Sequence, residues 1–368
     1  MTTTRTIHNF SPGPAALPAP VLAQAQAELT DWQGRGYSVI EVSHRSPQFV
    51  QLVQDTSARL RRLLDIPDDY QLLYLTLAAT AHFSIAPLNL SVASDRALYL
   101  NTGHWSRKAA EHAAKQVRVT SVDIVPGKAE EAEKDIDPAD YAYAHFCPNE
   151  TIEGLAWPAR PTLPPELSSS LPPNLPLIGD FSSCLLSSRL RIADYALIYA
   201  GAQKNIGPAG ISLVIVRKDL LGKARATCPP ACNYALQAEQ DSLLHTPNTF
   251  GIYVINLVCK WLEEQGGLAA MERINQAKAG LLYQAIDTLP LYRNGVPNAW
   301  RSRMNIPFQL ANPELDQSFL QQAEEAGLLF LKGHRAVGGM RANLYNAVPM
   351  ASVEALVEFM RQFAQRHG

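Results

Sequence analysis

Gly179-Asp180-Phe181-Ser182-Ser183, then Tyr199-Ala200-Gly201-Ala202-Gln203-Lys204-Asn205 and the turn Gly207-Pro208-Ala209-Gly210, are the segments that decide how this chain reads. Asp180 and Lys204 each stand just past a short apolar run, at residues 175–178 and 197–199. In an open α/β sheet both side chains emerge at the carboxyl ends of strands, where such sheets bind ligands. A lysine leaving an apolar strand is desolvated, which favours the neutral amine needed for attack on a carbonyl. A carboxylate beside it can keep an aromatic ring nitrogen protonated. Either residue alone reads as a solvated loop charge. Together at successive strand ends, among small residues that leave room for a flat ring, they point to a site.

Working outward, five more runs have strand length, at residues 72–75, 96–100, 117–119, 141–146 and 211–216. They are mostly apolar, as strands covered on both faces are, and helical patterns separate several of them. The expected architecture is therefore α/β, with a mostly parallel seven-stranded sheet and helices on both faces. An N-terminal helix is expected over 18–34, with Val21, Leu22, Ala25 and Leu29 on one face, and another over 47–64. The Pro-rich stretch 158–176 reads as a surface connection around a short helix. A long helix over 249–266 leaves this first unit. Beyond it come a strand at 304–309, a helix at 316–326, strands near Leu328 and Met340, and a last helix from Ser352. That pattern is a small α+β domain. The expected division is an arm at 1–15, a large domain at 16–258 and a small one at 259–368.

A chain of 368 residues exceeds the size at which one hydrophobic core keeps growing, so two domains fit it. Its formal charge of -2 gives no basic surface for nucleic acid or an anionic membrane, and neither is expected as a partner. No run reaches the roughly 18 apolar residues of a membrane span, and the start lacks a secretory pattern. Cys147, Cys184, Cys228, Cys232 and Cys259 are scattered and odd in number, which suits free thiols in a reducing compartment, the cytoplasm. Cys228 and Cys232 lack a second ligand pair, so no metal site is expected.

Several longer segments carry a resemblance. They are Asn9-Phe10-Ser11-Pro12-Gly13-Pro14, Glu41-Val42-Ser43-His44-Arg45, His145-Phe146-Cys147-Pro148-Asn149-Glu150-Thr151, residues 200–210, Arg301-Ser302-Arg303-Met304-Asn305 and Gly333-His334-Arg335-Ala336-Val337-Gly338-Gly339-Met340-Arg341. Through them the chain resembles the phosphoserine aminotransferases, class V members of the fold type I enzymes that use pyridoxal 5′-phosphate (PLP). The resemblance implies that Lys204 carries PLP as a Schiff base and moves the proton between Cα and C4′, and that Asp180 pairs with the pyridinium nitrogen. It implies that Trp105 stacks on the ring, that Thr151 bonds the 3′ oxygen, and that Gln203 and the partner subunit's Thr246 reach the phosphate of PLP in a homodimer. It also implies that Arg341 grips the substrate α-carboxylate. His44, Arg45, His334 and Arg335 would take the phosphate of phosphoserine or the side-chain carboxylate of glutamate.

Two departures stand out. Where the family has a Gly-rich segment and an arginine, this chain reads Thr76-Leu77-Ala78-Ala79-Thr80-Ala81-His82-Phe83, leaving Ala79 and Thr80 against the cofactor phosphate. Alanine serves there wherever φ is negative, but a missing charge-assisted hydrogen bond weakens anion binding by about tenfold to a hundredfold. His245 stands where asparagine is common. The resemblance implies transfer of an amino group between L-glutamate and 3-phosphohydroxypyruvate, giving 2-oxoglutarate and O-phospho-L-serine. The alternatives are a same-fold aminotransferase with another anionic substrate and a PLP-binding paralogue with little turnover.

Overall fold

A computed structural model describes residues 6–91, 95–125, 141–157 and 175–367. All but the last two residues of the expected 158–176 connection lie outside these. In chain order, β1 (His8–Asn9) precedes α1 (Ala19–Ala27) and α2 (Pro47–Leu64). β2 (Tyr70–Leu75), α3 (His82–Leu90), β3 (Arg96–Asn101), α4 (His104–Ala113) and β4 (Arg118–Asp123) follow. Next come β5 (Ala144–Phe146), the short pair β6 (Asn149–Glu150) and β7 (Leu155–Ala156), β8 (Leu177–Asp180), β9 (Leu197–Gly201) and β10 (Ser212–Arg217).

Seven of these strands form one sheet in the order β2-β10-β9-β8-β5-β3-β4. Every neighbour pair is parallel except the two made by β10, which runs antiparallel to β2 and β9. The chain between Gly201 and Ser212 is too short for the crossover a parallel partner needs, so it turns straight back. Two apolar cores cover the sheet, one on each face. Helices α1, α2 and α6 (Thr249–Glu264) contribute to the first; α3, α4 and α5 (Tyr234–Glu239) contribute to the second.

α1 is shorter than its expected span of 18–34. Thr30 and Asp31 favour turns over helix, and Asp31 Oδ1 accepts the Gly36 amide at 2.6 Å. Gln33 sits at φ 55° inside a single 3₁₀ turn, Trp32–Gly34. Of the expected apolar face, Val21 and Ala25 are buried whereas Leu22 and Leu29 are exposed.

The C-terminal region comprises α7 (Gly267–Thr288), β11 (Tyr292–Arg293), β12 (Asn305–Leu310), α8 (Asp316–Glu325), β13 (Leu328–Leu329), β14 (Met340–Asn343) and α9 (Met350–His367). β11, β12 and β14 form an antiparallel sheet. The strand expected near Leu328 instead pairs in parallel with β1, stitching the N-terminal arm to this region. Phe10 is fully buried in its core. α7 serves both regions: Met271 packs in the first core and Ala279 in the C-terminal one. Between them Lys278, fully buried, donates to the carbonyls of Leu344 (3.2 Å), Tyr345 (2.9 Å) and Val348 (3.0 Å). Among the described residues no helix is long and apolar enough to cross a membrane.

Candidate active site

A cavity of about 290 Å³ opens at the carboxyl edge of the large sheet, lined by residues of both regions and of the arm. Asp180, the last residue of β8, and Lys204, just beyond β9, both line it, as the parallel strand pair β8–β9 dictates. Asp180 is 8% exposed. Its Oδ1 accepts the Ser182 amide at 3.0 Å and the Ser182 hydroxyl, and that hydroxyl oxygen accepts the Gly201 amide at 3.0 Å. Burial pushes the Asp180 carboxyl up; the Ser182 hydrogen bonds and the nearby Lys204 pull it back down. The other oxygen, Oδ2, has no protein hydrogen bond among the described residues, and a ring N–H can take it.

Lys204 Nζ donates to Thr151 Oγ1 at 2.8 Å. The arm closes over the lysine stem: Ala15 N donates to the Gln203 carbonyl at 2.8 Å. Gly13 packs on that stem at φ +134°, a conformation side chains rarely adopt; a Cβ there would meet Lys204 Cγ at 3.4 Å, an ordinary contact, so the backbone rather than the space calls for glycine. Ala79, Thr80 and Gln203 line the same cavity. No residue from Thr76 to Phe83 has positive φ, so the alanines that replace glycines are unstrained there. Trp105, in the first turn of α4, supplies a flat apolar wall.

Arg341 is 5% exposed and also lines the cavity. Nη1 donates to the Thr151 carbonyl at 2.9 Å, Nε is buried without a partner, and no described carboxylate forms an ion pair with it. Burial pushes its pKa down, while Tyr345 and the charge of Glu153, which forms no ion pair with it, oppose that shift. A buried guanidinium lacking a counter-ion is costly, and a carboxylate entering the cavity relieves that cost. His334 stands beside it; burial first, then the charges of Arg341, His104 and Arg335, disfavour its protonation, while Glu153 opposes them. A carboxylate at one end of a flat-walled cavity, an amine within it and a buried cation at the other side fit PLP and an amino acid.

Within one protomer the structure does not bring every expected residue to this cavity. His44, Arg45, His245, Thr246 and Arg335 are not among its lining residues. Arg45, His245 and Thr246 are exposed, and His44 Nε2 is buried without a partner. His245 Nδ1 lies 3.4 Å from Gln237 Nε2. His104, Glu150 and Glu153 carry no role in the sequence, because the bonds between them join residues more than 40 positions apart; Ser182 bonds Asp180 only two residues back, and an Asp-x-Ser turn after a strand is the signal that points to it.

A model of the aminotransferase class-V family matches residues 7–356. The phosphoserine aminotransferase of Marinomonas sp. (strain MWYL1) is 47% identical over 366 residues, covering 98% of this chain and 99% of that relative. Among solved structures, the phosphoserine aminotransferase of Bacillus circulans subsp. alkalophilus superposes with a TM-score of 0.91 at 40% identity, over 99% of each chain. The PLP-bound phosphoserine aminotransferase of Trichomonas vaginalis gives 0.89 at 39% identity, over 97% of this chain and 100% of that one.

Proposed function

The chain belongs to the class-V aminotransferases and is a PLP-dependent transaminase, and we propose that it moves an amino group between L-glutamate and 3-phosphohydroxypyruvate, yielding O-phospho-L-serine for serine biosynthesis. The observation that carries the substrate reading is Arg341, a buried cation with no ion-pair partner among the described residues, hydrogen-bonded to the residue that holds Lys204.

Bound PLP supplies an electron-withdrawing ring that stabilises negative charge developing at the substrate Cα. Lys204 holds it covalently and, once released, takes the Cα proton on Nζ. Thr151 Oγ1 fixes where Nζ stands, 2.8 Å away. Asp180 keeps the ring nitrogen protonated, and Trp105 covers the ring. Ala79, Thr80 and Gln203 take the cofactor phosphate. Arg341 orients the α-carboxylate bidentately, and His334 takes the distal anion, with the exposed Arg335 next to it in sequence reaching in from beyond the cavity's lining.

The active form in this reading is a cytoplasmic homodimer. The exposed Arg45, His245 and Thr246, with His44, lie off the cavity of their own protomer, which suits delivery to the partner's site. Mixing Lys204→Ala with Arg45→Ala tests this. Each variant alone is impaired, and random reassociation restores about a quarter of the sites, because half the dimers are mixed and each has one intact site. No restoration contradicts the shared site. Steady-state rates over a panel of amino donors and 2-oxo acids test the substrates: phosphoserine and glutamate should lead it. A different anionic pair leading would replace this reading.

A further inference from the structure

The first backbone amides of a helix have no acceptor within it. At the start of α4 two carboxylates from one short segment take three of them. His104 N donates to Glu153 Oε1 at 2.8 Å, Trp105 N to Glu150 Oε2 at 2.9 Å and Ser106 N to Glu150 Oε1 at 2.9 Å. Ser106 Oγ accepts the amides of Thr102 (2.9 Å) and Gly103 (3.0 Å) from the inner side. Glu150 is fully buried. The fit is tight, for a Cβ on Gly103 would fall 2.7 Å from Glu150 Cγ and Cδ. The next residue after Glu150 is Thr151, whose hydroxyl accepts Lys204 and whose carbonyl accepts Arg341.

We propose that Glu150 is a positioning residue for cofactor binding: by gripping the Trp105 amide it fixes the indole wall relative to Lys204 and Arg341. The inference rests on Trp105 covering the cofactor ring, as set out above. Both carboxylate oxygens are used as acceptors of amides, and only the ionised group offers two. A glutamine keeps one acceptor and turns an NH₂ toward the other amide, donor against donor. Protonation of Glu150 does the same with an O–H.

The surroundings set where that happens. Burial first, then the charge of Glu153, push the Glu150 carboxyl up to about 7, while the Ser106 and Trp105 donors pull it down. Just past β5 it faces Cys147, whose thiol burial keeps neutral; just past β3, the Thr102 hydroxyl; from α4, His104, Trp105 and Ser106. The grip on Trp105 therefore loosens as pH falls through about 7.

The test is a double-mutant cycle read as the PLP dissociation constant of cofactor-free protein, with no turnover involved. Glu150→Gln should weaken PLP binding by about tenfold, the loss of one hydrogen bond to a charged group. In Trp105→Ala, adding Glu150→Gln should cost little more, because Glu150 acts through Trp105. Additive losses, or unchanged affinity in Glu150→Gln, overturn the proposal. If Trp105→Ala alone binds PLP normally, the placement of Trp105 over the ring is wrong instead. Should Glu150→Gln fail to fold, the pH dependence of PLP affinity decides. Across pH 6 to 8 the native protein should lose more affinity on acidification than Trp105→Ala; parallel profiles overturn the proposal.

Discussion

Lys204 Nζ donates to Thr151 Oγ1 at 2.8 Å, so the amine expected to hold the cofactor is placed by a hydroxyl from a different strand end. The carbonyl of the same threonine holds Arg341. Thr151→Val removes the first contact and keeps the second. It should lower kcat by about tenfold, as one hydrogen bond from a charged group is lost, while the KM for glutamate changes little. Thr151→Ser should restore kcat. Steady-state kinetics of the three proteins check it; a raised KM with normal kcat would move Thr151 to a substrate role.

Asp180 is held by Ser182 through two hydrogen bonds to one oxygen. Asp180→Asn should keep the fold and lose most turnover, since an amide does not stabilise a protonated ring nitrogen as a carboxylate does. Ser182→Ala is the finer probe. The Ser182 donors oppose the upward push of burial on the Asp180 carboxyl, so removing the hydroxyl raises it further. Activity should then be lost on the acid side at a higher pH than in the parent. An unmoved acid limb would show that Asp180 ionisation does not set it.

How much of this the residues announce depends on the range of the interactions. The span 47–64 reads directly as a helix because Ser46 caps it, accepting Phe49 N at 3.3 Å. Phe49, Leu52, Val53, Leu60 and Leu64 also recur at helical spacing toward the core. α1 ends early because turn chemistry at Thr30 and Asp31 beats the apolar pattern. Asp180, Lys204, Thr151, Trp105, His334 and Arg341, singled out from the sequence, line one cavity. The grip of Glu150 on α4 is not legible, since a carboxylate that caps a helix some 45 residues earlier leaves no local pattern.

Thr80 is exposed and lines the cavity where the family's arginine is expected. If the lost charge served substrate, Thr80→Arg lowers the KM for phosphoserine while PLP retention on dialysis stays unchanged. This is the expected outcome, because in the proposed reading the link to Lys204 and a helix N-terminus would still hold the cofactor. Tighter PLP retention with the same KM would assign the charge to the cofactor. No change in either would make the departure silent.

His82 and His145 lie fully buried on one face of the sheet, bonded to Tyr234, Ser212 and Tyr199. Burial lowers both to about 3, so both are neutral in the native protein at pH 7. Unfolded histidines take protons below about pH 6.5, so this stability is present above that value and lost as pH falls toward 3. Each site should cost about 1.4 kcal/mol per pH unit in that window. Urea midpoints at pH 7 and 5 test it: His145→Gln should be weaker at pH 7 yet lose less on going to pH 5. An equal loss in both proteins would mean His145 does not carry the acid sensitivity.

Everything proposed for this site depends on Lys204 binding PLP covalently. Incubating the protein with PLP, reducing with borohydride and mapping the modified peptide by mass spectrometry tests it directly. A single pyridoxyl label should appear on Lys204 and be absent in Lys204→Ala. A label on another lysine, or none on the native protein, would contradict it.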